Sequence, residues 1–575
     1  MNTLAAPLAA TPVIPAGRLP SIGLRAQLLN TAKLRVLALI TGFTLIALIA
    51  LVRIASLGFA GSAPQRTSME EALLPPRGEI TDRHGAPLAR AFPAYALWFE
   101  PTAMGDTGSP LVRSPQEVAS ALKGIFPDLD EARMARRLAS GKPGYLRRRI
   151  LPEEANKVFA LGEIALEIPR ETDRYYPQGT LAAHVLGYVV EDQGGKIGME
   201  EVLEKDLSHP DTRMEPVALS IDVRAQGALE DELRKGMLAT NAIGAAGIVL
   251  DVDTGEVMAM ASLPEFDPNT AGAAGATNVF NRATNGVYEL GSTFKPLSVA
   301  AAIDAGVVRD LSKPWDASPV AVGRRTIKDL KPKGASLNVP QALVYSSNTV
   351  TARVADALGA ERLRETMIDL GMDRRPFIEL PGKGRPIWPQ GPWSRVTNMT
   401  VSYGHGLAVT PLHLASAYAA MVNGGIWRPS TLMKLDPKDV PRGRRVFKES
   451  TSHRMRQMLR MISLYGTGKQ ADAVGYRVGG KTGSAEKAGA GGYRKTSLVS
   501  SFAAAFPLDA PRYVVVVVLD EPKGTVASSF QRTAGYTAAP VVGKLVPRIG
   551  PMLGVQPDES RDVDISDLRY LVDKH

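Results

Sequence analysis

Residues 36–52 form an apolar run without a charge, VLALITGFTLIALIALV, closed by Arg35 and Arg53. In lipid a run of this kind has one single-segment solution, a helix that satisfies its own backbone hydrogen bonds. It lies near the lower length limit for a spanning helix, and Ile54–Gly58 extends it if Arg53 snorkels to the interface. Arg18, Arg25, Lys33 and Arg35 precede the run, whereas the first acid of the chain is Glu70. The positive-inside rule then places the N-terminus in the cytoplasm and everything beyond the run outside. A cleaved signal ending near Ala60–Ala63 is the alternative, but signal cores are shorter and lie closer to the N-terminus. The division expected is a tail at 1–35, whose Ala/Pro-rich first 33 residues are unstructured, and a transmembrane helix at 36–58.

No second run of this length follows; the valines 514–518 make a segment of strand length. The remaining chain is long enough for two further domains. Its composition, 45% hydrophobic and 22% charged, is that of a globular body. The net charge of +10 is scattered, and neither a zinc-finger nor a P-loop pattern accompanies it, which excludes nucleic acid as a partner. With no cysteine, seven histidines and no HExxH, no metal site and no cofactor is expected.

Residues 64–235 mix short strand-like and polar helical runs. Arg77–Gly85 reads as a strand entering a tight turn at His84-Gly85, a structural hairpin. Residues 115–140 read as two short helices broken at Pro127, and 218–245 as a strand followed by a helix. From Ala246 two apolar runs joined through Asp253-Thr254-Gly255 predict a β-hairpin. Strand-like runs return at 476–480, 500–506 and 513–519, with helical stretches between. A hairpin first, helices next and strands last predict an α+β fold, an antiparallel sheet flanked by helices. The boundaries expected are 59–235, 236–555 and an acidic, loose tail at 556–575.

Three motifs carry chemistry. Ser-x-x-Lys occurs at Ser120–Lys123, Ser292–Lys295 and Ser484–Lys487, and Ser-x-Asn at Ser336–Asn338 and Ser346–Asn348. Lys-Thr-Gly occurs once, at Lys481-Thr482-Gly483. Any one match is most simply a solvated Ser and Lys on a helix face. Context favours Ser292, which follows Gly291 and precedes Lys295-Pro296, a pairing suited to a first helical turn. At i and i+3 the two side chains share a face. Serine attacks only when a base takes its proton, and lysine serves when burial and neighbouring positive charge lower its pKa. Lys481 supplies such a field and also polarises Ser346 as a proton shuttle. Asn348 offers a carbonyl and an NH₂ to a substrate amide; the bland role of Ser346 or Ser347 is a helix cap. Lys481 to Ser484 follows a strand-like run whose glycines let a peptide add as an extra strand. Thr482 and Ser484 hydroxyls, with Lys481, suit a terminal carboxylate. The backbone N–H groups of Ser292 and Ser484 are the oxyanion-hole candidates.

The three motifs in this order resemble the penicilloyl serine transferases. RGEITDRHG (77–85), DRYYPQGTLAAHVLGYV (173–189), LSIDVRAQ (219–226), DVDTGEVMAMASLPEFDPN (251–269) and YGHGLAVTPLHLASAYAAMVNGG (403–425) narrow the resemblance to class B penicillin-binding proteins. VGGKTGSAEK and SSFAAAFPLDAPRYVVVVVLDEPKG point to their division-specific branch in alphaproteobacteria. The resemblance implies an elongated pedestal of dimerisation type under a β-lactamase-like domain with a five-stranded antiparallel sheet. It implies a D,D-transpeptidase acting on D-Ala-D-Ala stem peptides through a Ser292 acyl-enzyme, and inhibited by β-lactams. It further implies an inner-membrane protein at the septum, with a periplasmic catalytic domain. Its partners would be a multi-pass glycan polymerase of the shape, elongation, division and sporulation family and other division proteins. The elongation-specific enzyme is the nearest rival; a D,D-carboxypeptidase or β-lactamase-type hydrolase needs neither pedestal nor anchor. Leu290 in place of Pro, His84 in place of Asn and Ser484 in place of Thr depart from the family pattern.

Overall fold

A computed structural model describes residues 21–60, 77–103, 111–190, 193–273, 275–323, 325–489 and 492–572. Residues 1–20, most of the linker that holds the alternative cleavage site, and the last three residues lie outside that description. The chain divides into two compact units, Met1–Leu74 and Pro75–His575.

In the first unit one helix runs over Ser21–Ala60. Its stretch Lys33–Arg53 is long and apolar enough to cross a membrane. At 1.5 Å per residue it spans about 31 Å, the thickness of a bilayer core. The helix starts earlier than expected, because Pro20 is the last proline before the apolar run. Beyond it Leu, Arg, Ala and Gln are good helix formers and extend a helix already nucleated.

The second unit begins with a sheet built around the strand Pro87–Phe99. This strand pairs antiparallel with Ile80–Thr81, Gly144–Ile150, Leu166–Glu167 and Arg170–Tyr175. Two helices, Pro115–Ile125 and Glu131–Ala139, stand on either side of Pro127 as the sequence predicts. Ser114 and Glu117 cap the first reciprocally, and Asp130 caps the second. Leu97, Phe99, Leu122, Phe126 and Leu138 form the core beneath them. The His84-Gly85 turn is structural: the Asp82 carboxylate accepts from the His84 and Ala86 amides, both at 2.8 Å. Its second oxygen accepts from the Val223 amide at 3.2 Å, and His84 Nε2 lies 3.2 Å from Asp222. The turn therefore docks on the start of helix α1 (Val223–Ala239).

The C-terminal part holds β1 (Gly244–Asp251), β2 (Val257–Leu263), β3 (Gly479–Gly489), β4 (Gly492–Phe506) and β5 (Tyr513–Asp520). They form one antiparallel sheet in the order β2-β1-β5-β4-β3, with β3 at an edge. The strand β5 is central and buried on both faces, hence its continuous valines. Val515 and Val517 face one cluster with Leu229, Leu233 and Leu545. Val514, Val516 and Val518 face the larger one. The helices that matter below are α2 (Lys295–Asp304), α3 (Val339–Val344), α4 (Asn348–Leu358), α5 (Pro411–Val422), α6 (Glu449–Tyr465) and α7 (Ala538–Met552). Both α1 and α7 cover one face of the sheet, and α5 the other.

Two expectations are corrected here. The junction placed at 235/236 falls inside α1, a continuous helix that packs on β1 and β2. The acidic tail is not loose: Leu568, Leu571 and Val572 are buried, and its aspartates meet arginines of α6. Counter-charges and three apolar anchors, absent from any local pattern, hold it.

Candidate active site

Ser292 lies in a 3-10 turn, Gly291–Phe294, that runs directly into α2. Gly291 opens the turn with φ 57°, a conformation costly for a side chain. Four bonds brace it. The Leu290 carbonyl accepts from Thr293 Oγ1 at 2.9 Å and Ser501 Oγ at 3.3 Å. The Thr293 carbonyl accepts from the buried Tyr418 hydroxyl at 2.8 Å, and the Gly291 amide donates to the Gly404 carbonyl at 3.3 Å. The turn lies directly on the edge strand: a β-carbon on Gly483 would stand 2.2 Å from the Leu290 carbonyl oxygen. One on Gly291 would stand 3.1 Å from the Ser484 carbonyl oxygen. The turn that carries Ser292 is thus packed against Gly483 and Ser484 of β3.

At the first residue of α2, three residues beyond Ser292, Lys295 is fully buried. Its Nζ donates to the Ser346 carbonyl and, at 3.1 Å, to Ser346 Oγ. From the other side Lys481 Nζ, also fully buried, donates to the same Oγ at 3.0 Å. Ser346 owes this position to its backbone. The Ser347 amide closes on Ala342 and the Ser346 amide on Leu343, a Schellman end to α3 with Ser346 left-handed at φ 62°. A non-glycine residue there costs about 1–2 kcal/mol. Ser346 is therefore not a helix cap; Ser347 is, accepting from the Val350 amide at 3.2 Å.

The electrostatics follow from burial. Desolvation, then the charge of Lys481, hold Lys295 well below its ordinary pKa, with Asp329 opposing. Desolvation pushes Lys481 down to about 7. A hydroxyl between two buried amines of weakened basicity is equipped to pass protons.

Thr482 Oγ1 meets Thr467 Oγ1 at 2.7 Å, and Ser484 Oγ accepts from the Ala534 amide at 3.1 Å. Asn348 opens α4, and its Nδ2 donates to the Lys328 carbonyl at 3.2 Å. Lys481 Nζ also donates to the Thr482 carbonyl at 3.1 Å, so direct bonds unite Lys295, Ser346, Lys481 and Thr482. Ser292, Gly483 and Ser484 join through backbone packing, and Asn348 through α4. The rival motifs fall elsewhere. Lys123 donates to the Pro127 and Leu129 carbonyls of the turn beyond its helix, Lys487 pairs with Asp520 and Glu521, and Asn338 caps α3.

Sequence reasoning missed Asp329, Thr467 and Tyr418. Asp329 accepts from Ser347 Oγ at 2.7 Å and from the Asn348 and Thr349 amides at 2.6 and 3.0 Å, so it caps α4 from outside. No local signal marks these three; each acts across the fold.

A family model for the penicillin binding protein transpeptidase domain matches residues 245–546, and one for the penicillin-binding protein dimerisation domain matches 72–248. The probable peptidoglycan D,D-transpeptidase FtsI of Caulobacter vibrioides is 39% identical over 84% of this chain and 82% of its own. The peptidoglycan D,D-transpeptidase FtsI of Escherichia coli K12 is 32% identical over 84% of each. Among solved structures, penicillin binding protein 3 from Mycobacterium tuberculosis, complexed with aztreonam, superposes with a TM-score of 0.64. That match covers 84% of this chain and 98% of the other at 24% identity, a likeness of fold.

Proposed function

The chain belongs to the class B penicillin-binding proteins, and from that premise we propose that it cross-links septal peptidoglycan through an acyl-enzyme on Ser292. It is a peptidoglycan D,D-transpeptidase of the serine type. The observation that carries the site assignment is the convergence of Lys295 and Lys481 on one hydroxyl, Ser346 Oγ, at 3.1 and 3.0 Å.

Lys295, neutral in its buried site, accepts the Ser292 hydroxyl proton as Oγ attacks the carbonyl of the D-Ala–D-Ala bond. The oxyanion sits between the Ser292 and Ser484 amides; a donor of this kind is worth about 2.7–4 kcal/mol. The tetrahedral intermediate collapses as the proton passes by way of Ser346 to the leaving nitrogen, releasing D-Ala and leaving an ester on Ser292. The amine of a neighbouring stem attacks that ester, gives up its proton through the same groups, and departs as the new amide while Ser292 recovers its hydroxyl. The donor peptide lies along the open edge of β3, with Asn348 on its amide and Lys481, Thr482 and Ser484 at its carboxylate. A β-lactam opens on Ser292 in the same way, but its leaving nitrogen stays tethered.

The domain limits follow this reading: a cytoplasmic tail at 1–35, a membrane helix at 36–58, a pedestal from 59 and a transpeptidase domain to 555. The junction is moved to the start of α1, and the tail at 556–575 is joined to the catalytic fold. The apolar helix and the division-protein relatives support a membrane anchor with the catalytic domain in the periplasm. A multi-pass glycan polymerase and other division proteins are its partners in this reading.

The test is a fluorescent penicillin on full-length protein in detergent, with intact and peptide masses and Ser292→Ala alongside. A lasting adduct on Ser292, absent from the variant, is expected. Rapid release of hydrolysed penicillin would replace this reading with a hydrolase. A fluorescent fusion should gather at midcell; an even lateral-wall signal would reassign the enzyme to elongation.

A further inference from the structure

The tail touches both supports of the proton-passing group. The short helix α3 connects two capped ends. At its far end stands Ser346 in the Schellman turn; at its near end Asn338 Oδ1 accepts from the Gln341 amide at 2.8 Å. The same Asn338 side chain turns its Nδ2 to the Leu571 carbonyl of the tail at 3.0 Å. With both ends capped, so short a helix moves as a rod, and a shift at Asn338 is carried to Ser346.

The second support is the approach to Lys481. Arg460 of α6 is buried and donates to the Val478 carbonyl at 2.8 Å, just before the Gly479-Gly480-Lys481 entry to β3. Its guanidinium also grips Asp562 of the tail through Nη2 at 2.8 Å and Nε at 2.8 and 3.0 Å. Between these two points Gln457 Nε2 donates to the Asp564 carbonyl at 2.7 Å and to Asp567 at 3.1 Å, and Arg454 pairs with Asp567. Leu568, Leu571 and Val572 seal the path into the main core.

We propose that the segment 556–572 is a strap that positions the Ser346–Lys481 pair, acting through Asn338 on one side and Arg460 on the other. This rests on the roles given above to Ser346 and Lys481. Neither Asn338 nor Arg460 touches substrate; both are positioning residues. When the strap is released, Ser346 Oγ drifts from the two amines, water reaches them, and their pKa values climb towards the ordinary lysine range. Neutral Lys295 then becomes scarcer at a given pH, so the acid limb of the acylation profile moves to higher pH.

The experiment uses the full chain in detergent and measures the second-order rate of acylation by a fluorescent penicillin from pH 5.5 to 9.5. Asn338→Asp keeps the oxygen that caps α3 and loses the donor to Leu571. Acylation is expected to slow about tenfold at neutral pH, with an acid limb at higher pH and full labelling of Ser292 at long times. Removal of residues 556–575 should give the same displacement more strongly. Should either variant fail to fold, Asp562→Asn, which leaves Arg460 Nη1 its 2.6 Å bond to the Asp472 carboxylate, tests the second arm alone and should slow acylation severalfold. Wild-type rates and an unmoved profile in folded variants, even with a lower melting temperature, would overturn the strap and leave it a stabilising tail. If wild-type protein itself fails to label at Ser292, the catalytic assignment fails instead.

Discussion

Gly483→Ala probes the contact on which the site is built. The added β-carbon would meet the Leu290 carbonyl oxygen at 2.2 Å, Ser501 Oγ at 2.5 Å and Thr293 Cγ2 at 2.9 Å. Carbon–oxygen contacts settle near about 3.3 Å, so β3 and the nucleophile turn must separate by about 1 Å. The neighbours cannot give way: the Leu290 carbonyl is held by Thr293 and Ser501, and Thr293 by Tyr418. An ångström of retreat takes Lys481 Nζ from its 3.0 Å bond with Ser346 out of hydrogen-bond range, and draws the Ser484 amide away from Ser292. A displacement of that size costs on the order of 100-fold in rate, and overpacking costs about 1–3 kcal/mol of stability. Stopped-flow acylation by a fluorescent penicillin reads the first, and urea unfolding the second. Acylation within about threefold of wild type would refute the reasoning, because the packing of Leu290 on Gly483 would then not set the geometry.

Tyr418→Phe keeps the ring but leaves the buried Thr293 carbonyl without its donor, and should lower the unfolding free energy by about 1–3 kcal/mol in urea titrations. Lys481 has a folded pKa of about 7 against an ordinary 10.5, so between those values the unfolded state binds the extra proton and stability rises with pH. Lys481→Met should flatten that rise by about 1.4 kcal/mol per pH unit, read from unfolding curves at pH 7.5 and 9.5; parallel slopes would show the lysine is not desolvated. Ser484→Thr adds a methyl beside the Ala534 amide that Ser484 Oγ engages. It should leave acylation intact but change its rate across a β-lactam series, and coincident rates would remove any role for this departure.

The parts of the fold that were legible are those with a local cause. The hairpin of β1 and β2 follows from apolar runs around Asp253-Thr254-Gly255, where the Asp251 carboxylate takes the Asp253 and Thr254 amides at 2.9 and 3.0 Å. The valines of β5 announce a strand buried on both sides, and Pro127 separates two helices as proline must. At the site, residue type and spacing were enough to single out Ser292 and Lys295, which the structure sets at the junction of the 3-10 turn and α2. The approach of Lys481 to Ser346 was read as well, but which of Ser346 and Ser347 caps α4 and which turns left-handed was not, because that depends on how α3 ends. Asp329, Thr467 and Tyr418 reach the site from far along the chain, and no neighbouring residue marks them. The same holds for the tail, whose acids resemble a solvated terminus until Arg454 and Arg460 are placed opposite them.

The sheet order also has a consequence for how the protein is made. Val249 of β1 lies opposite Val515 of β5, yet most of the catalytic domain is translated between them. At about 5–20 residues per second the interval is on the order of 10–50 s. Throughout that time the nascent hairpin shows an apolar strand edge with no partner, the kind of surface that invites wrong pairing. Ser292, Ser346 and Lys481 all emerge before β5 does, but they can meet only when β5 slots between β1 and β4. A chain that stops short of Tyr513 therefore carries Ser292, Ser346 and Lys481 but lacks the strand that joins β1 to β4.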